Sequence, residues 1–510
     1  MLSYPLRRMA LGLLVLILGN HATAEMNLAK KPTLNGENLS PNIVFIYTDD
    51  QAPWAIEGKN PNAVTPNLNR LAEQGMSFPN AYTTTPVCSP SRAGLLTSRY
   101  GFELGIDDWI NDHLKSKTLT GHQLDLGLSS EFDSWPKQLQ DNGYYNGLIG
   151  KWHLGKKPEY HPNNFGYNEF IGFLGGGTTP IDPHLTVNGK KKSETGLTVD
   201  VLTDHAIDFL QRNKNKKFLL SLHYRAPHYP FEPVSESDRS AIAEDVALLH
   251  PDYPDLNKHR AKKLLRSYLA SVKGIDRNVG RLMAHLDTLG LADNTVVIFT
   301  SDHGYAIGQN GIWHKGNGFW LLNTPPEGTP TIPKGQRPNL YDSVLKVPLI
   351  VRWPDKVPAG AQNLSTVSNL DFYPTIMDIA GLDLPEETTI RGQSVIDALK
   401  DKNVLTSTDY FAAYSTLHQS ITGMRMYSDG KHKLVRDFKN TGRDEFYDLE
   451  RDPHETSNLL EGTLSDIQLA ELLRLDTTLN TKMRMLSDPL ISKFTPVISE
   501  SKSVRSPYDD

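Results

Sequence analysis

Ile43-Val44-Phe45-Ile46-Tyr47-Thr48-Asp49-Asp50 is the stretch on which the fold turns. Five apolar residues stand in an unbroken row, without the polar alternation of a half-exposed strand. Such a run fits a strand covered on both faces, as in a parallel sheet held between helices. Thr65-Pro66 then opens a helix that carries Leu68, Leu71 and Ala72 on one face and stops at Gly75. Comparable strands are expected at 144–149, 218–222, 296–300 and 347–351, and a long amphipathic helix at 264–289. Strands alternating with helices predict an α/β domain on a mostly parallel sheet sandwiched by helices. From about residue 410 the pattern changes to short alternating runs at 424–427, 433–435 and 445–449, then a helical run at 467–483. These predict a main domain over 25–405 and, over 406–490, a smaller C-terminal antiparallel sheet with a closing helix. Residues 491–510, rich in Ser and charge, read as a loosely ordered tail.

Reactive side chains stand just beyond the apolar runs. Asp49-Asp50 follows the first, Lys151-Trp152-His153 the second, Arg225-Ala226-Pro227-His228 the third and Asp302-His303-Gly304 the fourth. In an open parallel sheet, ligands bind outside the carboxyl ends of the strands, so these four clusters would meet at one edge. Singly, each has a plain reading: an aspartate pair after a strand is commonly a turn or a helix cap, and Lys-x-His a solvated loop. Together they describe a site. Asp49, Asp50 and Asp302 supply hard oxygens of the kind that Ca2+ or Mg2+ takes.

Cys88 is the one cysteine of the chain, and it lies in Cys88-Ser89-Pro90-Ser91-Arg92-Ala93-Gly94-Leu95-Leu96-Thr97-Ser98-Arg99. A single thiol forms neither an intramolecular disulfide nor a multi-thiolate metal site. Packing would account for a buried cysteine but not for these neighbours. Ser89-Pro90 reads as a helix start with proline at the first helical position. That puts residue 88 near the positive end of a helix and Arg92 in its first turn.

The dodecapeptide resembles the signature of type I sulfatases, Cys-x-Pro-Ser-Arg-x-x-x-Leu-Thr-Gly-Arg, with Ser98 where the family usually has Gly. Val347-Pro348-Leu349-Ile350-Val351-Arg352-Trp353-Pro354, and Phe446-Tyr447-Asp448-Leu449 with Asp452-Pro453, carry the resemblance over roughly 41–460. It implies an alkaline phosphatase-like fold and a sulfuric ester hydrolase. It also implies that a maturation enzyme oxidises Cys88 to formylglycine, whose hydrate attacks sulfur through one hydroxyl and expels sulfate through the other. Asp49, Asp50, residue 88, Asp302 and His303 would hold a divalent cation, Ca2+ before Mg2+, with a hydrogen-bonding role as the alternative for His303. Arg92 would grip the hydrate, and Lys151 and Lys315 would bind the sulfate. His153 would act as base and His228 as the acid on the leaving oxygen. Arg225, Trp313 and His314 are expected to touch substrate. His184, in a loop after Gly175-Gly176-Gly177, is either a further contact or merely exposed. The aromatic, Pro-rich stretch 316–340 reads as a sugar-binding wall or as a lid that serves stability.

Arg7 and Arg8, an apolar run over 9–19 and Ala22-Thr23-Ala24 have the layout of a cleaved secretory signal peptide at 1–24, too short to span a bilayer. Export to a periplasm or beyond follows, with no membrane anchor. Lys and Arg number 53 against 59 Asp and Glu, a net charge of −6. That balance argues against nucleic acid or an anionic membrane as a bulk partner, so an anionic substrate must be gathered by a local basic cluster. Export and a loop-built pocket favour a sulfated carbohydrate, either algal polysaccharide or a glycosaminoglycan oligosaccharide. The alternatives are an arylsulfatase of small esters, a phosphate or phosphonate ester hydrolase, and a calcium-dependent carbohydrate binder whose cysteine stays a thiol.

Overall fold

The computed structural model describes residues 40–110, 126–249 and 253–497. The expected signal peptide lies outside these residues, as does the end of the tail from 498 onward. The deciding stretch becomes the strand Asn42–Asp49, buried along its whole length. Ile43, Phe45 and Tyr47 join the apolar cluster on one side of the sheet, and Val44 and Ile46 that on the other. Two buried faces are the reason the run carries no polar alternation.

This strand lies inside a ten-stranded sheet of the described residues. Thr295–Ser301 and Phe218–Pro227 pair with it in parallel, setting Val296 and Leu219 beside Ile43. Tyr145–Lys151 and then Glu169–Phe173 continue the parallel order. All five therefore present their carboxyl ends at one edge. Helices Cys88–Thr97, Trp135–Asp141 and Phe372–Ala380 supply side chains to one face of the sheet. Pro66–Glu73, Thr198–Asn213 and Lys258–Thr288 cover the opposite face.

The strand expected at 347–351 forms as Leu349–Arg352, but it runs antiparallel to Thr295–Ser301. The intervening chain stays at the carboxyl edge and re-enters the sheet from there, so it must point back. On the way it folds a three-stranded sheet from Ala306–Ile307, Ile312–His314 and Phe319–Trp320. The start of the aromatic stretch is thus strand.

Tyr410–Thr416, Thr422–Ser428, His432–Asp437 and Glu445–Asp448 form the expected separate antiparallel sheet. The helix Asp466–Met485 follows, opened by a reciprocal cap between Ser465 and Gln468. The small sheet docks through Tyr410, Tyr414 and Met424 onto Leu340, Val344 and Leu345, within the one compact unit that begins at Ser40. The tail reading is corrected at its start. Ile491, Phe494 and Val497 pack on the apolar cluster of the last helix, and the Val497 N–H donates to Asp476 at 3.1 Å. These apolar residues anchor the segment despite its polar surroundings. Among the described residues, no helix is long and apolar enough to cross a membrane.

Candidate active site

Two neighbouring strand ends are tied together first. The Asp302 N–H donates to the Thr48 carbonyl at 3.1 Å, and the Asp50 N–H donates to Asp302 Oδ1 at 3.1 Å. Asp50 takes a left-handed backbone (φ 70°), which aspartate tolerates better than most residues. Tyr268, whose place on the long helix suggests only a core residue, accepts from the Ala52 N–H at 2.9 Å and donates to the Asp50 carbonyl at 2.7 Å.

On the other side of Asn42–Asp49, Lys151 ends its own strand and reaches Asp49 Oδ2 with its Nζ at 2.7 Å. The Lys151 carbonyl accepts from Arg92 at 3.2 Å and lies 3.1 Å from His223 Nδ1. Arg92 also grips Asp302 through Nε at 3.1 Å, and its guanidinium lies 5.0 Å from the Tyr47 ring centroid.

The helix that carries Cys88 differs from expectation in register. Val87 is its N-cap and Cys88 its first residue, so Pro90 stands third and Arg92 just past the first turn. Proline is tolerated there because the first N–H groups of a helix have no partner within it. Ser98 ends the helix in the left-handed region (φ 56°), where glycine is normally favoured. Its hydroxyl offsets that strain by donating to the Leu370 carbonyl at 2.8 Å and accepting from the Gly392 N–H at 2.9 Å. Ser91 is held by Thr83 at 2.8 Å and by Asn369, whose side chain reaches the Ser91 carbonyl at 2.9 Å. No sequence pattern near residue 88 points to Asn369.

Lys315 enters from the turn between Ile312–His314 and Phe319–Trp320. Its Nζ sits 2.7 Å from Asp50 Oδ1 and 3.2 Å from Cys88 Sγ. Cys88 Sγ also lies 3.5 Å from Asp49 Oδ1 and 3.4 Å from His303 Nε2. Asp49, Asp50, Asp302 and His303 are fully buried, so the group survives only because opposite charges meet. Burial alone would raise both aspartates, but Lys151 holds Asp49, and Lys315 holds Asp50, well below the ordinary carboxylate range. Against burial, Asp302 and Asp50 raise His303 to about 9.

The same donors fit a divalent cation. One ligand atom each from Asp49, Cys88, Asp302 and His303 lie within 4.8 Å of one another. Asp50 Oδ2 is buried without a hydrogen-bond partner. His303 Nδ1 lies 2.9 Å from the Gly304 carbonyl, and this leaves Nε2 as the nitrogen that faces Asp50 and Cys88.

Two further histidines flank the cluster. His153 takes a left-handed backbone (φ 63°) and sets Nε2 3.0 Å from the Ile110 carbonyl, while its buried Nδ1 has no partner. Burial, then the Lys151 charge, lowers it well below the ordinary range. His228 lies with Nε2 3.9 Å from Asp50 Oδ2 and Nδ1 2.6 Å from the Tyr229 carbonyl. Burial, helped by Lys315, lowers it to about 4. Nδ1 therefore carries the proton in this geometry.

At the rim, His314 lies 5.6 Å, ring to ring, from both Tyr305 and Trp313, and burial lowers it to about 3. Arg225 is turned toward the carbonyls of Thr178 and Pro230, at 3.1 and 2.7 Å. His184 is not brought to this cluster. It starts the strand His184–Val187, is exposed, and its Nδ1 lies 2.9 Å from Ser193 Oγ.

Residues 41–382 match the model of the sulfatase family, and 336–482 match one described as N-sulphoglucosamine sulphohydrolase, C-terminal. The chain belongs to the sulfatase family and is an enzyme that hydrolyses sulfate esters. It is 26% identical over 506 residues to an N-acetylglucosamine-6-O-sulfatase of Bacteroides thetaiotaomicron, with 83% of each chain covered. It is 28% identical to the N-acetylgalactosamine-6-sulfatase of Homo sapiens, over 76% of this chain and 71% of that one. A similar fold is seen in a structure solved with its substrate D-glucosamine-2-N,6-O-disulfate (TM-score 0.71, 24% identity, 88% and 99% covered). Another was solved with k-i-k-neocarrahexaose (TM-score 0.67, 25% identity, 89% and 99% covered).

Proposed function

We propose that this sulfatase is exported, that residue 88 works as formylglycine beside a divalent cation, Ca2+ before Mg2+, and that its substrate is a sulfated carbohydrate. The observation that carries the reading is the approach of Asp49, His303 and Lys315 to Cys88 Sγ within 3.5 Å, at the carboxyl edge of the parallel strands. A formylglycine hydrate supplies an oxygen nucleophile that frees sulfate by elimination, with no attack of water on sulfur. Asp49, Asp50, Asp302 and His303, with residue 88, would hold the cation, which supplies positive charge where oxyanion charge collects. Cys88 through Arg92 are buried, so the maturation enzyme would have to meet this segment before the chain folds.

The remaining steps belong to side chains. Lys151 and Lys315, each anchored on a carboxylate, offer their other N–H donors to the sulfate oxygens. Arg92, fixed by Asp302 and the Lys151 carbonyl, orients residue 88. A sulfate anion beside His228 would favour protonation of Nε2, and the charged ring then delivers that proton to the departing sugar oxygen. The unpartnered Nδ1 of His153 is free to take a proton from the nucleophile side.

The named relatives support a carbohydrate, and the aromatic rim of Tyr229, Trp313 and Phe319 suits the apolar face of a sugar. Free sulfate measured across defined sulfated saccharides, nitrophenyl sulfate and nitrophenyl phosphate tests the substrate. Mass spectrometry of the peptide containing residue 88 tests the nucleophile. Release from a saccharide and an aldehyde mass are expected. A fully active protein with an intact thiol overturns the nucleophile, and preference for an aryl sulfate or a phosphate ester over every saccharide overturns the substrate class.

A further inference from the structure

An aromatic wall leads outward from His228. The next residue, Tyr229, is 48% exposed, and its ring meets Trp313 edge to face at 5.7 Å. Trp313 also borders Phe319 at 5.8 Å. Over the indole of Trp313, 5.2 Å from its centroid, lies the guanidinium of Arg260. Arg260 is exposed near the start of the helix Lys258–Thr288, and no carboxylate pairs with it among the described residues. Nearby on the same helix, Lys262 pairs with Asp245 at 2.6 Å and Arg266 with Glu244 at 3.9 Å.

A cation so early in a helix opposes the helix dipole, so helix stability does not explain it. At 5.2 Å from the indole centroid the guanidinium is within cation–π reach, and its N–H donors suit a planar or tetrahedral anion. Proceeding from His228, the order is an acid at the leaving oxygen, an aromatic platform, then a held positive charge. From the Tyr229 ring to the Trp313 ring is 5.7 Å and from there to the guanidinium 5.2 Å, each step on the scale of a sugar ring.

We infer that Arg260 recognises a second anionic group on the sugar next to the one that loses sulfate. The preferred substrate is then a saccharide of two or more residues whose neighbouring sugar bears a sulfate or a carboxylate. This rests on the carbohydrate sulfatase reading above.

The test compares wild type with Arg260→Gln and Arg260→Glu, both on an exposed helix surface. Four substrates share one sulfated sugar: the monosaccharide, and disaccharides with a neutral, a carboxylated or a sulfated neighbour. For the anionic disaccharides, Arg260→Gln is expected to raise KM roughly tenfold with kcat unchanged, and Arg260→Glu to raise it further. Added salt should shrink the wild-type advantage. The monosaccharide and the neutral disaccharide should be unaffected, and the larger loss between the two anionic arms identifies the anion. Equal KM ratios on all four substrates, or no change on any, overturn the inference while leaving the carbohydrate reading intact. If wild type cleaves an aryl sulfate but no saccharide, the carbohydrate reading fails and this inference with it.

Discussion

Gly176 is the seat of His153. A Cβ at residue 176 would lie 2.7 Å from both Cε1 and Nε2 of the His153 ring, closer than real Cβ contacts allow. The ring has little freedom to yield, because its backbone is left-handed and its Nε2 is tied to the Ile110 carbonyl at 3.0 Å. Gly176→Ala should therefore push the imidazole off its position. A displaced catalytic group costs on the order of 100-fold in kcat, while the thermal midpoint should move little. Wild-type kcat in Gly176→Ala would remove His153 from the proton-transfer role.

Chelation should stop turnover without unfolding the protein. Lys151, Lys315 and Arg92 already neutralise the carboxylates that would bind the cation, so its loss leaves no uncompensated negative cluster. Treatment with EDTA should abolish sulfate release, and Ca2+ should restore it. Refilling should also raise stability by about 3 kcal/mol at a cation concentration 100 times Kd. Full activity after exhaustive chelation, checked by elemental analysis, would exclude a catalytic cation.

Much of this site is legible in the sequence because its chemistry follows the strands. Asp49, Lys151 and Asp302 end or follow apolar runs that must be buried, and parallel pairing brings such ends together. What local pattern does not contain is partnership across hundreds of residues. Asn369 reaching Ser91, or the Tyr268 hydroxyl reaching Asp50, depends on how helices and turns pack. The antiparallel return of Leu349–Arg352 is equally silent, since a strand buried on both faces reads alike in either direction. The register of the Cys88 helix is hidden for a related reason: proline is accommodated anywhere in the first turn, and here it stands third. His184 follows the plainer of its two readings: it is exposed at the start of a hairpin, and a loop histidine reads the same in sequence whether or not it meets a site.

His223 should make the protein acid-sensitive. Burial, then the Arg92 charge, lowers it to about 3 in the folded state, against about 6.5 when unfolded. Between those values the unfolded chain binds more protons than the folded one, so stability falls as the pH falls through this window and is fully present above it. His223→Gln, which keeps a donor for the Lys151 carbonyl, should flatten that slope. The comparison is denaturant midpoint against pH from 7 to 4. Parallel curves for the two proteins would mean that His223 already titrates alike in both states.

The C-terminal sheet should fail through one buried ion pair. Arg425, fully buried in Thr422–Ser428, binds Asp488 beyond the last helix, with Nη2 3.0 Å from Oδ1. The pair joins the middle of the small sheet to the segment that leads into Leu490 and Ile491, which pack on the final helix. Removing one partner strands the other charge without solvent, at a cost of roughly 3–5 kcal/mol. Asp488→Ala should lower the thermal midpoint sharply, whereas the double change Arg425→Met with Asp488→Leu should recover most of the loss, because an apolar pair of similar volume needs no desolvation. The effect on kcat should be small in both, since Asp49, His303 and Lys315, which contact Cys88 Sγ, all lie outside the C-terminal sheet and its helix. If the double variant melts as low as Asp488→Ala, the ion pair contributes position rather than charge balance, and the charge argument is wrong for this subdomain.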